Sequence, residues 1–234
     1  GHLLKGLDFE EAGLALALAA WLFRLRPRFQ ARPDAPSVQQ GLGALAASLA
    51  GRRLLLFSGI TLAILDATAR RTLLEALAAA RRQGARVAFD PNYRPRLWPE
   101  PEAARQAIGQ ALGVCDIALP TFPDEAALFG DVDRQATARR LEAAGVGEIV
   151  VKDGTDPALL AVGGGTAEIA AFPSPQPLDT TGAGDAFNGA YLAARLSGRA
   201  PEEAVRMAHR VAARVVETRG ELAPPADILP APAS

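Results

Sequence analysis

Short, continuous apolar runs alternate with longer helical segments from residue 53 to residue 218. Apolar runs without polar alternation are typical of strands that helices cover on both faces. These runs predict strands at 53–57, 86–89, 117–119, 148–151, 158–162 and 166–172. The segments between them predict helices at 67–82, 102–112, 124–129, 136–144, 182–196 and 201–218. Because repeated strand–helix–strand units place their strands in parallel, the order predicts a three-layer α/β fold with a mostly parallel central sheet.

Cap and turn residues support several of these boundaries. Asp66 is a candidate N-cap for the helix at 67–82, and Gly84 lies just beyond its end. Three consecutive glycines, Gly163 to Gly165, separate the last two predicted strands. They could cradle a phosphate, but no helix follows them directly. We interpret them as the turn of a hairpin, which adds antiparallel strands at one edge of the sheet.

The two ends of the chain depart from this pattern. Residues 1–35 form an atypical N-terminal segment with an apolar stretch, Leu14 to Phe23. A proline-containing linker at 27–41 overlaps the end of this segment. Ten residues of helix span about 15 Å, half of a bilayer core. We therefore interpret the stretch as a buried or partner-facing helix rather than a membrane anchor. The domain core is expected at 36–222, followed by an extended proline-rich tail at 223–234.

Composition narrows the range of partners and sites. The 25 basic and 26 acidic side chains give a formal net charge of -1, which argues against nucleic-acid or anionic-membrane partners. The single cysteine, Cys115, cannot form an intramolecular disulfide, which suits a reducing cytoplasm. The histidines are His2 and His209, so a multi-histidine metal site is excluded. We expect His209, on the last predicted helix, to be a packing or surface residue.

The segment DTTGAGDAF, residues 179–187, carries the clearest chemical signal. It is a strand-to-helix corner in which Gly182 and Gly184 let a ligand approach the backbone. The free N–H groups and the dipole at a helix start favour an anion. Asp185 in the first turn is placed to take the proton from a hydroxyl that attacks a phosphoryl group. The alternative is that Asp185 only stabilises the helix dipole. No Lys-Ser/Thr follows the glycines, so this is not a Walker A loop.

DTTGAGDAF resembles the C-terminal signature of the PfkB-type, ribokinase-like carbohydrate kinases. The resemblance implies a ribokinase-like fold, ATP and Mg²⁺ as cofactors, and a small-molecule sugar or sugar acid as substrate. It implies that Asp185 is the catalytic base and that it contacts the substrate. The backbone amides of Gly182, Ala183 and Gly184 would form the anion hole. Thr180, Gly182 and Gly184 would contact ATP. The oligomeric state stays open, with a homo-oligomer as one option.

A second segment, FDPNYRPRLW at 89–98, points to the substrate. It follows a predicted strand, and open α/β sheets bind ligands at the carboxyl ends of their strands. The simplest alternative is a turn at Asp90-Pro91-Asn92. The segment resembles that of 2-keto-3-deoxygluconate kinases, in which Asp90, Asn92 and Arg94 would bind substrate and Arg94 would meet its carboxylate. Fructokinases carry a similar segment, but SGITLA, residues 58–63, favours the keto-deoxygluconate branch.

The nucleotide side has weaker signals. VVKDG ends a predicted strand and resembles the family's loop near the ATP phosphates, with Lys152 and Gly154 as ATP-binding candidates. Lys152 could instead be a solvated surface charge. LPTFPDEAALFG resembles the family segment that organises the hydration shell of magnesium, but its usual asparagine is absent. Asp124 and Glu125 are the acids available there as metal candidates, or they are first-turn helix charges.

The resemblance covers Pro36 to Gly220. Family members begin with a strand, a glycine-rich substrate loop and a β-sheet lid, and the first 35 residues supply none of these. The chain is therefore expected to be a fragment of a longer kinase or a shortened homologue. The predicted function is ATP-dependent phosphorylation of the terminal hydroxyl of 2-keto-3-deoxygluconate. The alternatives are a fructokinase or related hexose kinase, and a non-catalytic nucleotide-binding remnant.

Overall fold

The fold is built around one six-stranded sheet in the order β1 to β6. The structure, a computed structural model, describes residues 49, 51–174 and 177–217. The strands are β1 (Leu54–Ser58), β2 (Arg86–Asp90), β3 (Ile117–Ala118), β4 (Glu148–Val151), β5 (Ala158–Val162) and β6 (Gly165–Ile169). Neighbours pair in parallel from β1 to β4, whereas β5 is antiparallel to both β4 and β6. The prediction of a mostly parallel sheet with an antiparallel hairpin at one edge is confirmed.

Seven α-helices surround the sheet within the described residues, and a short 3-10 helix lies at Pro95–Leu97. They are α1 (Gly59–Ile64), α2 (Ala67–Arg82), α3 (Pro101–Leu112), α4 (Phe122–Phe129), α5 (Arg134–Ala143), α6 (Ala183–Leu196) and α7 (Pro201–Val215). The boundaries of α2 match the prediction, and Asp66 accepts a hydrogen bond from the Ala69 amide as its N-cap. The predicted hairpin turn is present, with Gly163 and Gly164 at positive φ between β5 and β6.

Two apolar cores place the helices on opposite faces of the sheet, which gives three layers. On one face, side chains of α1 to α5 pack against alternate strand residues such as Phe57 and Phe89, whose rings stack at 4.6 Å. On the other face, α6 and α7 pack against the strand residues whose side chains point to that side of the sheet, including Ala88 and Val150. The predicted three-layer α/β fold is confirmed.

Helix α1 was not predicted, and its formation depends on a neighbouring loop. The Ser58 side chain caps it by accepting a hydrogen bond from the Thr61 amide. A Cβ atom at Gly59 would lie 1.9 Å from the carbonyl oxygen of Pro91, so only glycine fits this contact. The start of α1 therefore packs directly against the loop that follows β2.

Several predictions concern parts of the chain outside the described residues. These are the helix at Leu14 to Phe23, the linker at 27–41 and the tail at 223–234. Among the residues that are described, no helix is both long and apolar enough to span a bilayer.

Candidate active site

The predicted site residues converge at the edge of the sheet where β1 to β4 end. Asp90 is the last residue of β2, and Lys152 follows β4 directly. The backbone of Lys152 is held on both sides by the loop after β3 and the first residue of α4. Its N–H donates to the Pro120 carbonyl at 2.9 Å, and its carbonyl accepts from the Phe122 N–H at 2.8 Å. This edge is where an open α/β sheet binds its ligands.

Asp90 and Lys152 meet in a buried polar cluster with Asn188 of α6. The Asn188 side chain donates to Asp90 Oδ2 at 2.6 Å and accepts from Lys152 Nζ at 2.9 Å, and Nζ lies 3.4 Å from the same Asp90 oxygen. The three residues are 5%, 7% and 1% exposed, in the order Asp90, Lys152, Asn188. Lys152 is therefore not a solvated surface charge. Asn188 was missed from sequence, although it lies one turn after Asp185 on the same helix.

The corner before α6 has the backbone geometry expected of an anion site. Gly182, the N-cap, adopts a left-handed conformation with φ +78°, which glycine accommodates readily. The Ala183 N–H donates to the Thr180 carbonyl at 3.2 Å, which tightens the turn into the helix. Gly184 and Asp185 lie in the first helical turn and are exposed to solvent. A ligand can therefore reach both the helix start and the acid.

The buried cluster lies directly beneath this helix start. A Cβ atom placed on Gly184 would lie 4.0 Å from Lys152 Nζ. The structure therefore brings the predicted anion hole, the acid Asp185 and the ends of β2 and β4 together, as the sequence motifs imply.

The loop after β2 presents polar groups at the same edge. Asn92 has φ +35°, a left-handed conformation, and its N–H donates to Asp90 Oδ1 at 3.1 Å. Asn92 Oδ1 is buried and has no hydrogen-bond partner among the described residues. A buried acceptor without a partner costs free energy, so this oxygen is a candidate to accept a hydrogen bond from a ligand hydroxyl.

The Arg94 guanidinium has hydrogen-bond partners at one nitrogen, Nη1. Its Nη1 donates to the Tyr93 carbonyl at 2.9 Å and to Asp124 Oδ2 at 3.1 Å. Its Nε and Nη2 have no partner among the described residues, and the side chain is 51% exposed. Since a guanidinium binds a carboxylate through two parallel N–H groups, the Nε–Nη2 edge is suited to a carboxylate ligand.

The two acids proposed as metal candidates lie in different environments. Burial raises the pKa of Asp124, and the nearby Arg94 opposes that rise. Burial also raises the pKa of Glu125 to about 7, although Arg140 lies 2.6 Å from it and favours the charged form. Glu125 is 1% exposed and does not fit as a ligand of a hydrated ion. Asp124, with one carboxylate oxygen free of protein partners in the described part of the chain, fits an outer contact with hydrated Mg²⁺.

The loop after β4 carries Gly154, one of the two ATP-binding candidates that the sequence predicts there. Gly154 has φ +59° and turns the chain directly after Lys152 and Asp153. Arg134 donates to Asp153 at 3.1 Å and to Glu168 at 3.1 Å, which ties this loop to α5 and β6. Among the described residues, no group of three or more histidine, cysteine or acidic side chains is arranged to hold a metal ion.

His209 lies apart from these groups, in the packing between α6 and α7. It is 7% exposed, and its ring meets the edge of Phe187 at 5.1 Å. Burial lowers its pKa, so the neutral form is favoured. This environment agrees with the predicted packing role.

Known proteins resemble this chain in both sequence and fold. The 2-dehydro-3-deoxygluconokinase of Escherichia coli (strain K12) is 42% identical over 184 residues, which cover 77% of this chain and 60% of that protein. The 2-dehydro-3-deoxygluconokinase of Dickeya dadantii (strain 3937) is 39% identical over 195 residues, covering 82% and 61%. The chain thus spans about 60% of the length of these two relatives.

A solved structure extends the likeness to three dimensions. The crystal structure of an E. coli protein described as a ribokinase II, in complex with ATP and Mg²⁺, matches with a TM-score of 0.66 and 26% identity. The match covers 75% of this chain and 56% of that one. Residues 30–227 also match the model of the pfkB family of carbohydrate kinases, a range that contains every residue described in this site. The chain therefore belongs to the pfkB carbohydrate kinase family.

Proposed function

We propose that this protein is an ATP-dependent kinase that phosphorylates the terminal hydroxyl of 2-keto-3-deoxygluconate. The observation that carries this proposal is the open Nε–Nη2 edge of Arg94 at the carboxyl end of the sheet. A sugar acid has a carboxylate to place there, whereas a neutral hexose has none. Asn92 Oδ1, the buried acceptor beside it, would receive a substrate hydroxyl.

Asp185 acts as the general base in this proposal. The acid lies in the exposed first turn of α6, where it can take the proton of the terminal hydroxyl as the oxygen attacks the γ-phosphorus of ATP. A new oxygen–phosphorus bond forms, and the bond between the γ-phosphorus and the bridging oxygen breaks to release ADP. The amides of Gly182 and Gly184 would stabilise the charge of the transferring phosphoryl group. The Ala183 amide donates to the Thr180 carbonyl at 3.2 Å, so it would have to exchange that bond for one to the phosphoryl group.

The remaining candidates bind the nucleotide and its metal. Thr180, Gly154 and the backbone at Gly182 and Gly184 line the phosphates, and Lys152 lies below them. Bound Mg²⁺ would neutralise charge on the phosphate oxygens. Asp124 is the residue that would orient its water shell.

A coupled assay of ADP release tests the proposal. The chain is supplied with MgATP and, in separate reactions, with 2-keto-3-deoxygluconate, gluconate or fructose. We expect turnover with 2-keto-3-deoxygluconate above that with fructose. Preferred turnover of fructose would favour the hexose kinase alternative. Nucleotide binding without turnover of any of the three would favour a non-catalytic protein.

A further inference from the structure

We propose that Asp90, Lys152 and Asn188 form a positioning triad that holds the substrate loop, residues 91–94, at a fixed place relative to Asp185. The inference rests on the proposed kinase function, but it does not depend on which sugar is phosphorylated. The triad joins three elements of the site: the end of β2, the end of β4 and the first half of α6. Its members act through the residues they hold and do not contact the reacting atoms.

Asp90 acts through Asn92 because the protein occupies both of its carboxylate oxygens. Oδ1 accepts the Asn92 N–H at 3.1 Å, and Oδ2 accepts from both Asn188 and Lys152. The residue is 5% exposed, so a sugar hydroxyl has little access to it. The hydrogen bond to the Asn92 backbone supports that residue's left-handed conformation, which in turn directs the rest of the loop.

Lys152 provides the charge that keeps this carboxylate buried. A buried ion without a partner is strongly unfavourable, so the ammonium and the carboxylate stabilise each other. The backbone of Lys152 is itself fixed by hydrogen bonds to Pro120 and Phe122. The triad is thereby anchored to the loop between β3 and α4 and to the start of α4, whose first turn carries Asp124.

Asn188 connects Asp90 and Lys152 to α6, the helix that carries Asp185. It lies three residues after Asp185, and its amide group bridges Lys152 and Asp90. A shift of about 1 Å between reacting groups can lower a rate by roughly 100-fold. Fixing Asn92 and α6 to one buried carboxylate therefore sets the distance between the base and the substrate hydroxyl.

The first test needs no ligand and uses the chain as it is. Hydrogen exchange of the Asn92 amide is measured by NMR in the wild type, in Asn188→Ala and in the control Tyr191→Phe. The control lies on the same helix and loses a buried 2.7 Å hydrogen bond to Glu148, at the opposite end of β4. We expect exchange at Asn92 to rise about fivefold or more in Asn188→Ala but not in the control. Unchanged exchange in Asn188→Ala would overturn the proposal.

The second test separates positioning from nucleotide binding. With whichever sugar the wild type turns over, Asn188→Ala should lower kcat about tenfold or more, with KM for ATP nearly unchanged, while Tyr191→Phe keeps kcat within about twofold. A rise in KM for ATP alone, or an equal fall in kcat for the control at equal loss of Tm, would contradict the triad's role. Asn188→Ser, whose side chain is too short to bridge Lys152 and Asp90, replaces Asn188→Ala if the latter does not fold.

These tests separate failure of the triad from failure of the proposed function. Turnover of fructose but not 2-keto-3-deoxygluconate would reject the substrate and still allow the kcat comparison. If no sugar is turned over, the exchange of the Asn92 amide decides the proposal by itself.

Discussion

Replacing Arg94 with alanine tests the proposed substrate class directly. The Nε–Nη2 edge of Arg94 has no partner among the described residues, and its Nη1 corner is held by Tyr93 and Asp124. A substrate carboxylate can use the open edge, whereas a neutral hexose cannot. We therefore expect Arg94→Ala to weaken binding of 2-keto-3-deoxygluconate and to leave fructose binding nearly unchanged.

The size of the effect follows from the exposure of the side chain. A hydrogen bond to a charged group contributes about 1.5 to 3 kcal/mol. Because Arg94 is 51% exposed, solvent screening favours the lower end of this range. A loss of about 1.5 kcal/mol raises Kd roughly tenfold. Loss of the ion pair with Asp124 changes the unfolding free energy by about 1 kcal/mol at most, so the variant should stay folded.

Isothermal titration of both ligands against four proteins provides the measurement. Arg94→Lys keeps the charge but loses the planar fork, so its affinity for the acid should fall between wild type and Arg94→Ala. Arg96→Ala is the matched control, because Arg96 is an exposed arginine in the short 3-10 helix Pro95–Leu97 just after the loop, without a hydrogen bond or ion pair among the described residues. An equal loss for both ligands in Arg94→Ala would refute the reasoning, assign Arg94 to loop structure and favour the fructokinase alternative.

Three further predictions concern acidic residues. Asp185→Asn should lower turnover by roughly 100-fold or more while nucleotide still binds in titration, and a variant that keeps most of the rate would exclude Asp185 as the base. Burial opposes ionisation of Glu148, but hydrogen bonds from Arg195, Tyr191 and Arg86 outweigh it and lower its pKa to about 2. Its ionisation therefore stabilises the fold by about 3 kcal/mol above pH 4.5, a contribution lost as pH falls towards 2. Denaturant unfolding across this range should show the loss in wild type and not in Glu148→Gln. Glu125 has the opposite sign, because its pKa is raised to about 7 in the folded protein. Its protonated carboxyl therefore stabilises the fold fully below pH 4.5, and this stabilisation is lost as pH rises through 7. Over that pH range, the unfolding free energy of the wild type should fall relative to that of Glu125→Gln. Parallel stability curves for the two proteins would show that the Glu125 carboxyl does not titrate there.

Local features of the fold were predictable where a few neighbouring residues determine the structure. The helix at Ala67–Arg82 was predicted with its correct boundaries because its cap, Asp66, and its terminating glycine lie beside it in the chain. The hairpin at Gly163–Gly164 was predictable for the same reason, since a positive φ favours glycine. The short helix α1 was not, because Gly59 is required by the carbonyl of Pro91, a contact between distant segments.

The candidate site also has one part that neighbouring residues determine and one part that depends on contacts between distant segments. The sequence alone indicated the turn at Gly182 and placed the acid Asp185 in the first turn of the helix, because the whole motif lies within a few consecutive residues. Only the tertiary structure decided that Asp90 is saturated by protein donors, since its partners Lys152 and Asn188 lie 62 and 98 residues further along the chain. A buried charge needs a partner of opposite charge or a hydrogen-bonding group, and that partner comes from the element that packs against it in the fold. Which elements pack together across a sheet cannot be read from the spacing of neighbouring residues.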